Sequence, residues 1–238
     1  MTRAWPAPHI EALSEEALLL RFGDSIESSI NARVHAAATR LREQLPDVEC
    51  VPAYASLLLR FDPAQWDDGD RAPLHQGLID RVMTALQDLP DTTDSTRVVD
   101  IPVWYGGVAG PDLAAVAAHA GLAQDEVISR HGAATYRVAM LGFAPGFPYL
   151  LGLDPTLATP RRGDPRISVP AGSVAIGGQQ TGIYPQALPG GWQLIGRTPL
   201  PLFNLRAASP SLLRPGDRVR FRAIDEDEYL QLAAGARR

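Results

Sequence analysis

A chain of 238 residues, 45% hydrophobic and 21% charged, has the composition of a globular protein with one large or two small cores. Its formal net charge of −5 argues against a dedicated nucleic-acid binder. The single cysteine, Cys50, excludes an internal disulfide, and all 22 basic residues are arginine, which excludes a Walker lysine, a Schiff-base lysine and a biotinyl-lysine.

The opening MTRAWPAPHIEALSEEA has no apolar signal core, and no run reaches about 18 apolar residues. No membrane association is expected, and the cytoplasm is the expected compartment. Charge is uneven along the chain. Residues 1–100 carry 17 acids and 9 arginines, whereas residues 155–222 carry 9 arginines against Asp164 and Asp217. The second half therefore suits an anionic ligand or an acidic partner surface, with scattered solvated arginines as the plainer reading.

In chain order, EALLLRFG (16–23) reads as a short strand ended by glycine. Ser25 can cap a helix in which Ile26, Ile30, Val34, Ala37, Leu41 and Leu45 recur at helical spacing until Pro46. VECVPAYASLLLRF (48–61) reads as two strands broken near Pro52, and residues 74–89 as a second amphipathic helix. These elements predict a small α/β sandwich over 1–92, two helices on one antiparallel sheet. A polar linker follows at 90–97, then the strand VVDIPVWY (98–105) and two short helices near 111–119 and 124–131. From 136 to 222, short apolar segments alternate with Gly/Pro turns, the texture of a β-barrel, giving a second domain over 98–224 and a tail at 225–238. The expected class is α+β.

Common catalytic patterns are missing. GFAPGF lacks the end of a phosphate loop, AGSVA around Ser173 lacks the nucleophile-elbow glycines, and the five histidines show no metal spacing. What remains is a set of Gly/Pro-shaped loops within 142–199. Aromatic walls are available from Phe143, Phe147, Tyr149, Tyr184 and Trp192, and neutral hydrogen bonds from Gln179, Gln180 and Thr181. Pro145, Gly146, Pro170, Gly172, Ser173 and Gly191 shape the same loops. Arg166 and Arg197 could hold a carboxylate or phosphate, and His131 could act as an acid or base. This set makes a pocket in a barrel mouth, with His131, Arg166 and Arg197 as candidate catalytic residues and the others as candidate substrate contacts. The alternative is structural: the glycines serve turns, the aromatics a core, and His131 the end of its helix. If the pocket reading holds, Arg166→Ala and Phe147→Ala remove activity with little change in melting.

Six segments in fixed order carry a family resemblance: IPVWYGG…GPDL, EVISRH, YRVAMLGFAPGFPYL, TPRRGDPRISVPAGSVAIGGQQTGIYP, GGWQLIGRTPLPLF and LLRPGDRVRF. The chain resembles the family of 5-oxoprolinase B subunits, which includes the KipI inhibitor of a sporulation histidine kinase, proteins labelled allophanate hydrolase subunit 1, and the first half of the urea carboxylase carboxyltransferase domain. The match is close over about 98–222 and looser before it. Ala123 stands where a Ser-Pro helix start is common, a departure that touches helix capping and not the pocket.

The resemblance implies a cyclophilin-like barrel and two partners, the C and A subunits of the same enzyme. It also implies ATP-coupled opening of 5-oxo-L-proline to L-glutamate, with ATP as co-substrate and Mg²⁺ ligands completed by the partners. It implies as alternatives an inhibitor gripping a histidine kinase, or a urea or allophanate pathway subunit.

Overall fold

The computed structural model describes residues 6–66, 75–87, 89 and 97–235. The chain divides into two compact units, Met1–Asp94 and Ser95–Arg238. The expected linker at 90–97 lies, apart from Arg97, outside the described residues.

The first unit runs β1 (His9–Ser14), β2 (Ala17–Arg21), α1 (Ser28–Gln44), β3 (Glu49–Pro52), β4 (Ser56–Arg60) and α2 (Gln76–Ala85). Its sheet has the order β1-β2-β4-β3, every pair antiparallel. Alternation builds the core: Leu18 and Leu20 on β2 and Leu57 and Leu59 on β4 are buried, with neighbours between them facing the other side. Against them pack Ile30, Val34, Ala37 and Leu41 of α1, spaced at three to four residues, and Leu78 and Val82 of α2. One local expectation is corrected. Ser25 is not the cap of α1; Glu27 holds that position, and the Ser25 hydroxyl instead donates to the Glu27 carboxylate at 2.6 Å. Strand β1 was invisible to pattern reading because its side chains are mostly exposed.

The second unit contains β5 (Val98–Tyr105), α3 (Leu113–Ala120), α4 (Gln124–Ala133), β6 (Thr135–Leu141), β7 (Pro148–Leu151), β8 (Arg166–Val169), β9 (Ser173–Gly177), β10 (Gln180–Ile183), β11 (Leu188–Gly190), β12 (Gln193–Arg197), β13 (Arg218–Ile224) and α5 (Glu226–Gly235). Seven strands close a barrel in the order β10-β7-β6-β13-β5-β12-β9, while β8 and β11 form a separate two-stranded ribbon. The first and last barrel strands, β5 and β13, pair in parallel, and closure leaves no edge open. Ile101, Val103, Val138, Leu150, Val174, Ile176, Ile195 and Val219 fill the barrel core and are fully buried. The protein is thus of the α+β class, with a sandwich-like first unit and a barrel in the second. Among the described residues, no helix is long and apolar enough to cross a membrane.

Candidate functional site

The hairpin β6–β7 is closed by residues 142–147, the first six residues of GFAPGFPYL. Within it, Ala144 N–H donates to the Gly142 carbonyl at 2.7 Å, and Phe143 between them has φ +67°. That is a tight turn in a sign that a side-chain-bearing residue adopts only at a cost of about 1–2 kcal/mol. The strained turn lifts Phe143 out of the surface at 61% exposure and turns Phe147 inward to 2%.

Phe147 is the hub of an aromatic cluster separate from the barrel core. Its ring lies edge-on to Phe143 (5.4 Å), Tyr184 (5.2 Å) and Trp192 (5.7 Å) and tilted against Tyr149 (5.0 Å). Such edge-to-face pairs add about 0.5–1.5 kcal/mol each beyond burial. Glycine makes the packing possible. A Cβ on Gly177 would stand 2.6 Å from the Trp192 ring, and one on Gly190 would stand 2.3 Å from the Tyr184 hydroxyl.

Over this cluster opens a cleft of about 210 Å³, lined by Phe143, Phe147, Tyr149, Tyr184 and Trp192 on the aromatic side and by Arg161, Arg162, Pro165, Pro189, Gly190 and Gly191 on the other. The Arg161 guanidinium stands over the Trp192 ring at 5.6 Å and has no ion-pair or hydrogen-bond partner among the described residues. Arg162 is held at three points: its N–H donates to Gly191 O (2.7 Å), its Nε to Asp164 O (3.2 Å) and its Nη1 to Asp112 Oδ1 (3.5 Å). Burial raises the Tyr184 phenol above its ordinary range, an effect opposed in part by the Trp192 backbone N–H bonding its oxygen. Burial likewise raises Tyr149. The cleft therefore presents flat apolar walls, neutral phenols and two guanidiniums, a surface for a small planar molecule carrying an anionic group.

Of the residues expected from sequence, the cleft brings together Phe143, Phe147, Tyr149, Tyr184, Gly191 and Trp192. Pro145 is exposed in the turn, and Gly146 backs onto Leu202 and Phe203. Pro170 is exposed, whereas Gly172 and Ser173 are buried where β9 begins. Gln179 is exposed in the β9–β10 turn, and Gln180 is half-buried. None of these lines the cleft. Arg197 spends its Nε on the Ala171 carbonyl (2.8 Å), and Arg166 its Nη2 on Asp112 (2.8 Å).

His131 and Thr181 lie inside the barrel unit with no exposure. The Thr181 hydroxyl donates to Ala175 O (3.0 Å), so His131 Nε2 carries the hydrogen toward Thr181 Oγ1 (3.1 Å) and Nδ1 accepts from the Tyr105 hydroxyl (2.8 Å). The ring also stacks on Phe221 at 4.5 Å. Burial lowers its pKa from the usual 6.5 to about 3, so the imidazole is neutral and fully bonded. The structure does not bring the ring to the cleft.

Sequence reading passed over Arg161, Arg162 and Asp112 as site residues. No local pattern in the sequence sets Arg161 and Arg162 apart from the other arginines; the fold brings them against the distant Gly190-Gly191-Trp192 segment. Among the described residues, no group of three or more His, Cys, Asp or Glu gathers to hold a metal ion.

The family described as carboxyltransferase domain, subdomain C and D, matches residues 8–213. A protein of Bacillus subtilis, named as the B subunit of 5-oxoprolinase, is 45% identical over 226 residues, covering 92% of this chain and 94% of its own. A second protein of that name, from Escherichia coli O157:H7, is 43% identical over 88% of this chain and 93% of its own. The solved protein TTHA0988 superposes with a TM-score of 0.75 at 40% identity over 88% of this chain, which spans only 40% of that longer one. The chain belongs to the family of 5-oxoprolinase B subunits, within the wider carboxyltransferase-domain fold.

Proposed function

We propose that this chain is the B subunit of an ATP-dependent 5-oxoprolinase, acting with the A and C subunits to open 5-oxo-L-proline to L-glutamate. The relatives' names support the assembly, and the observation that carries the reading is the aromatic cleft walled by Arg161 and Arg162. The substrate is a flat five-membered lactam with one carboxylate. Phe147, Tyr149, Tyr184 and Trp192 suit the ring, Phe143 shields it from above, and the two guanidiniums suit the carboxylate.

A lactam is a poor electrophile, and ATP supplies the activation of its carbonyl. The chain's own part is to bind, orient and desolvate the ring, which converts positioning into rate. The cleft lining holds two guanidiniums and no carboxylate, a donor set that fits an anion and not a magnesium ion. In this reading the Mg²⁺–ATP site is completed by the A and C subunits, and the chain alone is inactive. The test is reconstitution: the three purified subunits together are expected to release ADP only when 5-oxo-L-proline and this chain are both present. Equal ADP release without the chain would remove the reading.

A further inference from the structure

Asp112 stands at the N-terminal boundary of α3, where an aspartate ordinarily accepts a backbone N–H of the first helical turn. Here its side chain makes no such bond. The carboxylate is buried, with 7% of the side chain exposed, and is turned the other way. Oδ2 accepts Leu194 N–H at 2.7 Å, while Asp112 N–H donates to Leu194 O at 2.9 Å, a reciprocal pair that fixes the carboxylate to β12. Oδ1 accepts Arg166 Nη2 at 2.8 Å and Arg162 Nη1 at 3.5 Å. Leaving the cap unmade forgoes about 1 kcal/mol of helix stability, so the diversion calls for a reason beyond the helix.

The charges supply it. One carboxylate faces two guanidiniums, and Arg161 adds a third, so this corner keeps a positive excess. Arg162 has its Nε and Nη1 engaged, which leaves Nη2 without a partner among the described residues. Among the described residues, Arg166 Nη1 is buried with no hydrogen-bond partner. A buried guanidinium donor without an acceptor is costly, and of the two arginines bonded to Asp112, Arg162, which lines the cleft, is the one whose spare donor an anionic ligand there can reach.

We propose that Asp112 is a positioning residue for the cleft: its buried carboxylate, locked to Leu194, draws Arg162 into the wall so that the free Nη2 edge meets the ligand's carboxylate. The inference rests on the reading of the cleft as a lactam carboxylate site.

The experiment titrates the full chain with 5-oxo-L-proline and with 2-pyrrolidinone, the same ring without the carboxylate, by calorimetry beside thermal melting. Asp112→Asn is nearly isosteric and keeps an amide oxygen for Leu194 N–H. It is expected to weaken 5-oxo-L-proline about tenfold, like Arg162→Ala, and to leave the 2-pyrrolidinone response unchanged. If Asp112→Asn does not fold, Asp112→Glu, which keeps the charge but displaces the carboxylate, carries the same expectation. Wild-type affinity in the folded Asp112 variant, with affinity lost in Arg162→Ala, overturns the positioning role and leaves the anion site standing. Equal weakening of both ligands makes Asp112 merely structural and also overturns it. If wild type does not prefer 5-oxo-L-proline over 2-pyrrolidinone, the carboxylate-site reading itself fails, and the positioning role with it.

Discussion

Replacing His131 by phenylalanine separates a structural histidine from a catalytic one. The ring is fully buried, stacked on Phe221 and bonded at both nitrogens, and its pKa falls from 6.5 to about 3. Between those values the unfolded chain holds a proton that the folded chain refuses. The contribution is therefore fully present above pH 6.5 and is lost as pH falls toward 3, at up to about 1.4 kcal/mol per pH unit.

From pH 6.5 to 4.5 the wild-type protein should lose about 2–3 kcal/mol through this group alone. His131→Phe retains ring stacking but strands the buried Tyr105 hydroxyl, a cost of about 1–3 kcal/mol at neutral pH. The stability gap between the two proteins should therefore close, or reverse, on acidification. Urea unfolding from pH 7.5 to 4.5, followed by tryptophan fluorescence, measures it; Trp104 and Trp192 both sit in the barrel unit. Parallel stability curves for the two proteins would refute the buried, neutral assignment. By the same argument, the pH profile of the assembled activity should carry no step from His131 between pH 5 and 8.

Phe147→Ala should lower stability by about 3–5 kcal/mol, because the ring is the centre of the aromatic cluster; unchanged urea unfolding would contradict the packing. This replaces the expectation of a silent effect on melting. Phe143→Gly should retain or slightly raise the melting temperature, since the turn needs positive φ, while weakening 5-oxo-L-proline in calorimetry. A large loss of stability would mean that the exposed ring is a core element. Gly190→Ala should displace the Tyr184 hydroxyl, reducing stability by about 1–3 kcal/mol and ligand binding with it, both read from melting with and without 5-oxo-L-proline.

The sandwich was legible because helical periodicity reports burial, and the barrel because short apolar segments alternate with Gly/Pro turns from 136 to 222. Ile30, Val34, Ala37 and Leu41 recur at helical spacing, so the face of that helix could be read directly, whereas the leucine runs Leu18–Leu20 and Leu57–Leu59 read as strands without showing which leucines are buried. β1 carries no such signal, since a strand exposed on most positions leaves no period to detect. The aromatic half of the cleft was legible for a similar reason. Phe143, Phe147, Tyr184 and Trp192 sit in uncharged Gly/Pro loops, where large rings have few roles besides packing and binding. The basic half was not. Arg161, Arg162, Arg166 and Arg197 are chemically identical in sequence, and only the fold shows which guanidiniums are spent on Asp112 or Ala171 and which edges are left free. His131 shows the same limit, because acid–base chemistry and a buried neutral bond network use the same residue type.

The measurement that bears most directly on the central claim is the 5-oxo-L-proline dependence of ATP hydrolysis by the three assembled subunits, with the wild-type chain and with the Arg161→Ala/Arg162→Ala double variant. The account predicts saturable, substrate-dependent hydrolysis with the wild-type chain. It predicts a half-saturating concentration raised at least about tenfold in the variant, for loss of two charged contacts. Identical saturation curves for the two proteins would contradict the cleft as the carboxylate site. An assembly that hydrolyses ATP without regard to 5-oxo-L-proline would contradict the function itself.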